Sequence, residues 1–241
     1  MKIFVISLAT ALNRREHIKS QFEKIDTDFA FFDAIDGRNG SHFLFDRLNL
    51  KKRLRIKGYG MTPGELGCFA SHYLLWEKCV ALNETMVVIE DDAQLEPCFE
   101  NSIKHINELE KYDYVRLFVN GRKRPYVTIG VYQSYEVVEY LRGPGATRAY
   151  FITPTAAKKF IGNAQEWLLP VDDYMDQFWI NKVACRGIVP GIVKNETDFE
   201  TSVGKLEKNN KINRVTREIY SIKCSIYRKL YLLRHSPQKT F

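Results

Sequence analysis

The sequence predicts an α/β fold with a mostly parallel central sheet. Short apolar runs rich in β-branched residues alternate along the chain with segments of helical periodicity. The run Lys2 to Leu8 is followed by a predicted helix and then by a second strand, Phe29 to Asp33. This β-α-β order is how a parallel sheet begins. The 241 residues are 45% hydrophobic, which suffices for one large domain with a packed core.

The first predicted helix spans residues 14 to about 24. Asn13 with Glu16 three residues later has the pattern of a capping box, which favours a helix start at this point. Residues 33–37, Asp-Ala-Ile-Asp-Gly, form a turn after the second strand. Residues 38–60 are polar, basic and interrupted by glycine, and we interpret them as a surface excursion.

A second helix start is stronger. Thr62 can cap the helix, Pro63 suits its first position, and Glu65 can reach back to the capping amide. The following apolar residues recur at helical spacing and predict one buried stripe: Leu66, Phe69, Tyr73, Trp76 and Val80.

The rest of the chain continues the alternation of strands and helices. A buried strand, Thr85 to Ile89, leads directly into Glu90-Asp91-Asp92. Further strands are predicted within 114–119, 127–140 and 148–152, and helices are predicted from Thr153-Pro154 to Ile161 and from Tyr174 to Val183.

The positive charge is concentrated at the C-terminus. The net charge is +7, yet residues 205–241 contain ten Lys/Arg and two Glu, whereas residues 1–204 contain 26 Lys/Arg and 27 Asp/Glu. We therefore divide the chain into a catalytic domain, 1–204, and a basic helical tail, 205–241. A nearly neutral domain also disfavours nucleic acid as a partner.

Composition predicts a cytoplasmic protein. The cysteines form no CxxC pair and are odd in number, as is typical of free thiols in a reducing compartment: Cys68, Cys79, Cys98, Cys185 and Cys224. The N-terminal sequence has no pattern of a signal peptide, and no run of apolar residues is long enough to cross a bilayer.

Glu90-Asp91-Asp92 is the segment with the most chemistry. Ligands of open α/β sheets bind at the carboxyl ends of strands, and three adjacent carboxylates favour a counterion there. In an extended chain Glu90 and Asp92 point the same way and could share one Mg²⁺ or Mn²⁺, which would bridge diphosphate oxygens. The alternative is a solvated acidic turn.

A second acidic pair, Asp172-Asp173, precedes the last predicted helix of the domain. It suits a general base that removes a proton from a sugar hydroxyl. The alternative is simple capping of the helix.

Several segments together resemble the motifs of glycosyltransferase family 25. The resemblance includes Gly64-Glu65-Leu66-Gly67-Cys68 with Ser71-His72 and Trp76, Val88 to Ala93, Ile6-Ser7-Leu8 with Arg14-Arg15, Asp33 to Gly37, Gly145 to Ile152, and Leu169 to Asp172. It extends from residue 2 to about residue 200.

The resemblance implies a GT-A type nucleotide-sugar-binding fold. It also implies an inverting enzyme that uses Mn²⁺ or Mg²⁺ and a UDP-sugar, commonly UDP-galactose, with UDP-glucose as the alternative. Bacterial family members of this length commonly extend lipooligosaccharide, often as β-1,4-galactosyltransferases. The expected acceptor is thus an oligosaccharide or a lipid-linked glycan.

Site residues follow from position in these motifs. Predicted donor contacts are Ser7, Leu8, Arg14, Asp33, Ala34, Asp36, Gly37, Ser71, His72, Glu90, Asp91 and Arg148. Glu90 and Asp92 are the predicted metal ligands, and Asp172 is favoured over Asp173 as the base. Glu65, Cys68 and His72 can share a helix face, and we interpret them as a cap, a packing residue and a hydrogen-bonding residue rather than as a zinc site.

The basic tail has the pattern of an amphipathic helix. Its apolar residues fall along one side: Ile212, Val215, Ile219, Ile222, Ile226, Leu230 and Leu233. Such a helix suits the inner surface of an anionic membrane, or it packs on the domain or against a second copy.

Two other classes of function compete with the transferase. The acidic motifs would also serve a metal-dependent phosphohydrolase. A non-enzymatic peripheral membrane-binding module would depend on the tail alone.

Overall fold

The computed structural model describes residues 1–119, 123–195 and 214–235. Its strands are β1 (Lys2–Ser7), β2 (Ala30–Asp33), β3 (Met86–Glu90), β4 (Ala93–Leu95), β5 (Tyr114–Arg116), β6 (Tyr126–Tyr132), β7 (Tyr135–Tyr140), β8 (Ala149–Ile152), β9 (Arg186–Val189) and β10 (Val193–Asn195). Its helices are α1 (Leu12–Phe22), α2 (Leu50–Lys57), α3 (Pro63–Leu82), α4 (Phe99–Ile103), α5 (Pro154–Asn163), α6 (Val171–Met175), α7 (Phe178–Asn181) and α8 (Arg214–Arg234).

The predicted α/β fold class is confirmed. Eight strands form the central sheet in the order β2-β1-β3-β8-β5-β9-β7-β6. Strands β2, β1 and β3 are parallel, whereas β8 runs antiparallel between β3 and β5, so the second half of the sheet is mixed. The parallel half brings the carboxyl ends of three strands to one edge, where Ser7 lies opposite Asp33 and Ile6 lies opposite Glu90.

The central strands are buried on both faces, as their unbroken apolar runs predict. Alternate side chains of β1 and β3 enter two separate cores. Ile3, Val5, Val87 and Ile89 pack on one side of the sheet, and Phe4, Ile6, Met86 and Val88 pack on the other.

Helix α3 confirms its predicted start. The Thr62 hydroxyl accepts a hydrogen bond from the Glu65 amide at 2.9 Å, and the Glu65 carboxylate accepts one from the Thr62 amide at 2.7 Å. The predicted stripe faces the second core, where Phe69 stacks on Trp167 with ring centroids 4.1 Å apart. These contacts fix the N-terminus of α3 beside the carboxyl ends of β1 and β3.

The predicted start of the first helix and its predicted capping box are both wrong. Helix α1 begins at Leu12, and its N-cap, Ala11, has no side-chain cap bond, so Asn13 and Glu16 form no capping box. The Ala11 amide donates a hydrogen bond to the Leu8 carbonyl at 3.0 Å, so the chain turns before Asn13.

Residues 38–60 are more than a surface excursion. They contain a 3₁₀ turn, Phe43–Arg47, and helix α2. The Arg53 side chain is buried and donates to the Leu168 carbonyl at 2.8 Å. A buried arginine is tolerated when carbonyl groups accept its hydrogen bonds, which the sequence pattern alone does not reveal.

The predicted helix from Tyr174 to Val183 is split into α6 and α7. Asn181, the last residue of α7, donates to the carbonyls of Tyr174 and Met175 at 2.8 and 3.2 Å, which satisfies the last carbonyls of α6.

The predicted C-terminal helix is confirmed as α8. The proposed boundary between residues 204 and 205, and Ile212 of the apolar stripe, lie outside the described residues. Within the described part of the chain, every helix is either too short or too polar to cross a membrane. The five cysteines are free thiols.

Candidate active site

A cleft opens where the parallel strands end. Its walls are residues 6–8 at the end of β1, the loop 34–38, the first turns of α3, and the acidic segment 90–92. The cleft has an empty volume of ≈ 760 Å³, including the part that is open to solvent. A concave site of this size at the carboxyl ends of parallel strands is typical of ligand binding in α/β proteins.

Two glycines allow the loop wall to lie directly on α3. A Cβ atom at Gly37 would lie 1.9 Å from the Pro63 carbonyl oxygen, and one at Gly67 would lie 2.3 Å from the Ile35 carbonyl oxygen. The Ile35 amide also donates to the Ser71 hydroxyl at 2.9 Å. The backbone of the loop is therefore fixed on the helix, and its residues form a preformed wall.

Asp91 ties the separate parts of the cleft together. Its carboxylate is buried and accepts a hydrogen bond from the Ser7 hydroxyl at 2.7 Å and one from the Arg14 guanidinium at 2.9 Å. Because both oxygens are engaged, Asp91 joins β1 and α1 to the acidic segment. Its negative charge is neutralised within the protein.

Glu90 also lines the cleft, and its surroundings favour the ionised form. The Thr147 hydroxyl donates to its carboxylate, and His72 Nε2 lies 3.4 Å from the same oxygen. Burial alone would raise its pKa, but the nearby His72, the Thr147 hydroxyl and the charge of Arg148 together lower the pKa of Glu90 below its usual value.

Asp92 is the least satisfied carboxylate of the cleft. Its Oδ1 atom is buried without a hydrogen-bond partner among the residues described, and it lies 3.6 Å from Arg148 Nε. Burial and then the negative charge of Glu90 raise the pKa of Asp92 to about 6. The strand ends at Glu90, and residues 91–92 form a turn, so the premise of an extended chain here is wrong. Glu90 and Asp92 nevertheless both line the cleft.

This pair fits a hard divalent cation. Carboxylate oxygens are the ligands that Mg²⁺ and Mn²⁺ prefer, and a cation between Glu90 and Asp92 would relieve their mutual repulsion and give the orphaned Oδ1 a partner. The residues present thus meet the chemical requirement for the predicted metal.

A second donor set lies nearby. Ligand atoms of Cys68, His72 and Glu90 lie within 4.8 Å of one another. Burial, followed by the charges of the surrounding carboxylates, raises the pKa of the Cys68 thiol well above its usual value. A structural zinc site uses four protein ligands, so this trio alone does not complete one.

The structure brings most of the predicted donor contacts into this one cleft. Its lining includes Ser7, Leu8, Arg14, Ala34, Asp36, Gly37, Ser71, Glu90, Asp91 and Asp92. Asp33, His72 and Arg148 are outside the lining. Asp33 lies exposed at the rim, where it pairs with Arg15, while His72 lies behind Glu90 and Arg148 lies beside Asp92.

The two predicted bases, Asp172 and Asp173, are outside the lining of the acidic cleft. The charges of Glu90, Asp172 and Asp92 all act on the Cys68 thiol. Asp172 is half-buried and accepts a hydrogen bond from the Asp173 amide at 2.8 Å. Asp173 is more exposed and lies 3.9 Å from Lys57 Nζ.

Sequence reasoning missed several residues of the cleft. Ile6, Ala11, Arg38, Gly64 and Cys68 also line it. Ile35, which belongs to the turn 33–37 that the resemblance assigns to the donor pocket, lines it as well. Arg38 had a usable signal, because it follows the predicted turn 33–37 directly. Thr147, which binds Glu90, lies within the resembling segment Gly145 to Ile152, but no local pattern indicated that its hydroxyl would meet a carboxylate 57 residues away.

Fold and site together define an α/β protein with a preformed acidic cleft at the carboxyl ends of its parallel strands. Residues 1–175 match the sequence model described as "Glycosyltransferase family 25 (LPS biosynthesis protein)". The chain belongs to glycosyltransferase family 25.

Relatives include animal proteins. The chain is 31% identical to an Aedes aegypti protein named glycosyltransferase 25 family member, over 78% of this chain and 33% of the relative. It is 29% identical to Xenopus laevis procollagen galactosyltransferase 1-B, over 72% of this chain and 29% of the relative. A mouse protein named inactive glycosyltransferase 25 family member 3 is 30% identical over 72% of this chain and 31% of the relative. The chain spans about a third of the length of these relatives.

One solved structure has a distant likeness. It is named as a glucose-1-phosphate thymidylyltransferase from Bacillus anthracis in complex with sucrose, and it aligns with a TM-score of 0.42 and 12% identity over 85% of this chain and 98% of that chain.

Proposed function

We propose that this chain transfers a sugar from a UDP-sugar to a glycan acceptor, with Mn²⁺ or Mg²⁺ held by Glu90 and Asp92. The observation that supports this most directly is the pair of partly buried carboxylates facing the cleft, with the buried Asp92 Oδ1 atom lacking a partner among the described residues. A solvated acidic turn would keep such atoms in water. A phosphohydrolase would need the same metal, but family membership favours transfer to a glycan.

The walls of the cleft suit the two halves of the donor. Residues 6–8 and 34–37 form an apolar and backbone-rich wall for the nucleoside, whereas Arg14 and Arg148 provide positive charge near the diphosphate. The divalent cation, when bound, neutralises charge on the departing diphosphate. Arg14 is already bound to Asp91, so its role is to position that carboxylate as well as to offset phosphate charge.

Asp172 serves as the general base in this proposal. An acceptor hydroxyl oxygen forms a bond to the anomeric carbon of the donor sugar as the bond from that carbon to the diphosphate oxygen breaks. The hydroxyl proton passes to the Asp172 carboxylate, and UDP leaves. Attack from the side opposite the leaving group inverts the anomeric carbon, as the family resemblance implies.

Galactose is the proposed donor sugar, ahead of glucose. Support comes from the Xenopus relative, which is named a procollagen galactosyltransferase. The description of the family as an LPS biosynthesis protein supports a lipooligosaccharide acceptor. A β-1,4 linkage remains part of the proposal because bacterial relatives of this length often form it.

Asp92→Asn tests this function. It keeps the shape of the side chain but removes the charge, and we expect metal-dependent transfer to fall roughly 100-fold or more, the scale on which loss of one electrostatic contact acts. Turnover is measured with Mn²⁺, UDP-galactose or UDP-glucose, and lactoside or β-glucoside acceptors. Asp28→Asn, an exposed change at the other end of β2, is the matched control.

Two outcomes would contradict the proposal. Equal turnover of Asp92→Asn and the control would remove the metal role of this carboxylate. Release of UDP that is independent of added acceptor would favour the phosphohydrolase instead.

We also propose that α8 holds the protein on the cytoplasmic face of an anionic membrane. Its apolar stripe faces away from the domain, and the side chains of Val215, Ile219, Ile222, Ile226, Leu230 and Leu233 are 45–79% exposed. The opposite side of the helix packs on the domain, where Tyr231 contacts the Phe178 ring at a centroid distance of 5.3 Å. The stripe is therefore available to another surface.

Charge favours a lipid surface over a second copy of the chain. Lys223, Lys229 and Arg234 are exposed, and helical spacing places them beside the stripe. Two such helices packed stripe to stripe would bring like charges together, whereas an anionic bilayer attracts each of them by about 1 kcal/mol. An amphipathic basic helix of this kind lies in the membrane interface.

Vesicle sedimentation tests the membrane contact. The protein is expected to sediment with vesicles of phosphatidylcholine and phosphatidylglycerol, and less with phosphatidylcholine alone. The double change Ile222→Gln and Ile226→Gln should abolish sedimentation, whereas Val131→Gln, an equally exposed apolar residue on β6, should leave it intact. Sedimentation of the double variant at the wild-type level would refute the proposal.

A further inference from the structure

A second and larger cleft lies between α8 and the domain. Its walls are the end of α2, the segments around residues 124 and 142, helices α6 and α7, and the inner face of α8. Its empty volume is ≈ 1970 Å³ including the part open to solvent, more than twice that of the acidic cleft. Nothing in the proposed donor chemistry uses this space.

The charge of the second cleft is opposite to that of the first. Five cationic side chains line it, namely Lys57, Arg124, Arg142, Arg217 and Arg228, against the three carboxylates Asp173, Asp176 and Glu218. Asp176 is bound by Arg116 and by the Gly145 amide, both of which lie outside the lining. The cleft therefore presents a surplus of guanidinium groups.

Two of these arginines approach each other. Burial and then the positive charge of Arg142 lower the pKa of Arg228. The two residues come from different elements, Arg142 from the segment after β7 and Arg228 from α8. Like charges held together in a half-buried cleft favour an anion between them, and guanidinium groups bind phosphate and carboxylate through paired hydrogen bonds.

Polar atoms of the same cleft lack partners. Arg124 Nε and Trp179 Nε1, both donors, are buried without a hydrogen-bond partner in the described ranges, and so is the acceptor Gln177 Oε1. Unpaired donors suit the oxygens of an anion, while an unpaired acceptor suits a hydroxyl group. A sugar that bears a negative charge offers both kinds of group.

The position of the second cleft connects it to the proposed reaction. Asp173 lines it, and the charge of the neighbouring Asp172 acts both on Asp176 in this cleft and on Cys68 in the acidic cleft. Asp173 therefore places the predicted acidic motif on the wall of the second cleft, and Asp172 is its neighbour in the sequence. A glycan bound in the second cleft would lie beside this motif.

We infer that the cleft beneath α8 binds the acceptor glycan through a phosphate or carboxylate group, held by Arg142 and Arg228. This inference rests on the proposed transferase function and names the chemical class of its acceptor as an anionic sugar. Phosphate and carboxylate groups are both oxyanions that guanidinium groups bind, and separate sugar probes distinguish the two.

Binding is tested on the full chain with Mn²⁺ and UDP present, so that the acidic cleft is filled. The probes are glucose, glucose 6-phosphate and glucuronate, with affinity measured by saturation-transfer NMR. We expect glucose 6-phosphate or glucuronate to bind at least tenfold more tightly than glucose. The anion that gains this advantage identifies phosphate or carboxylate as the source of the charge.

The double change Arg142→Gln and Arg228→Gln should reduce binding of the anionic sugar to the level of glucose. Lys229→Gln removes a neighbouring charge of α8 that is outside the lining of the cleft. This variant should bind the anionic sugar as tightly as the wild type. Arg142→Glu alone provides a second test, because Arg142 is exposed and its replacement leaves the core untouched. This variant should also lose the advantage of the anionic sugar.

Equal binding of glucose and both anionic probes by the wild-type protein, or unchanged binding by the arginine variants, would overturn the inference. Failure of the proposed function is a separate result, because it appears as metal-independent or absent turnover in the acidic cleft. The arginine variants should still bind UDP like the wild type.

Discussion

The two clefts of this protein differ in charge and in construction. The acidic cleft is built from short contiguous segments at the carboxyl ends of β1, β2 and β3, and its backbone is fixed by close contacts. The basic cleft is lined by residues from five separate parts of the domain and is closed by the inner face of α8. The first therefore suits a constant ligand such as a nucleotide, and the second suits a partner that is recognised mainly by its charge.

The same difference decides what the sequence could predict. Contiguous motifs made the acidic cleft visible, because Ser7, Asp36 and Glu90 each follow a strand that is easy to recognise. The capping box of Thr62 and Glu65 was visible for the same reason. Local pattern is enough where neighbouring residues determine both the structure and the chemistry.

The basic cleft could not be predicted in this way. Arg142 and Arg228 are 86 positions apart in the sequence, and only the packing of α8 against α2 and α7 brings them together. Likewise, Arg53 lies in a polar stretch, and its burial depends on the Leu168 carbonyl, 115 residues away. Strand β8 lies antiparallel between β3 and β5 because it pairs with residues that are distant in the sequence. No local sequence pattern predicts this pairing.

The largest expected effect on transfer is that of replacing the proposed base, Asp172. Asp172→Asn should reduce transfer roughly 10²- to 10⁴-fold, the range in which general bases contribute, while UDP binding is retained. Asp173→Asn should cause a much smaller loss, because Asp173 is more exposed and lies near Lys57. Steady-state kinetics and calorimetric UDP binding measure the two properties. A larger loss for Asp173→Asn would reverse the assignment of the base.

Rigidity of the acidic cleft is tested at Gly67. A methyl group there would meet the Ile35 carbonyl, so Gly67→Ala should lower the free energy of unfolding by about 1–3 kcal/mol and weaken UDP binding. Gly162 lies in α5, and an added Cβ would have nothing within 4 Å. Gly162→Ala should therefore raise the free energy of unfolding by about 0.5–1 kcal/mol. Urea unfolding gives both values. Equal stability of the two variants would mean that the loop is not held against α3.

Looseness of the basic cleft is tested at Tyr231. Its ring packs on Phe178, and Tyr231→Ala should lower the free energy of local opening of α8 by about 1 kcal/mol. Amide hydrogen exchange should become faster in α8 and stay constant in α3. Faster exchange in both helices would show that α8 is part of the same cooperative unit as the acidic cleft.

The smallest effect is expected at Cys68. Because burial keeps this thiol protonated, Cys68→Ser should leave Mn²⁺ affinity unchanged in a calorimetric titration. If Cys68, His72 and Glu90 formed a zinc site, Cys68→Ser would remove its sulfur ligand. A calorimetric titration with Zn²⁺ would then show weaker binding by the variant.

A line of polar contacts leads from the acidic cleft into the interior. Glu90 faces His72, whose Nδ1 lies 2.9 Å from the Tyr150 hydroxyl, and the same hydroxyl accepts a hydrogen bond from the indole of Trp76 at 3.1 Å. A ligand that displaces Glu90 thus changes the dipoles next to an indole ring that water does not reach. The fluorescence of Trp76 is therefore expected to respond when a ligand occupies the cleft.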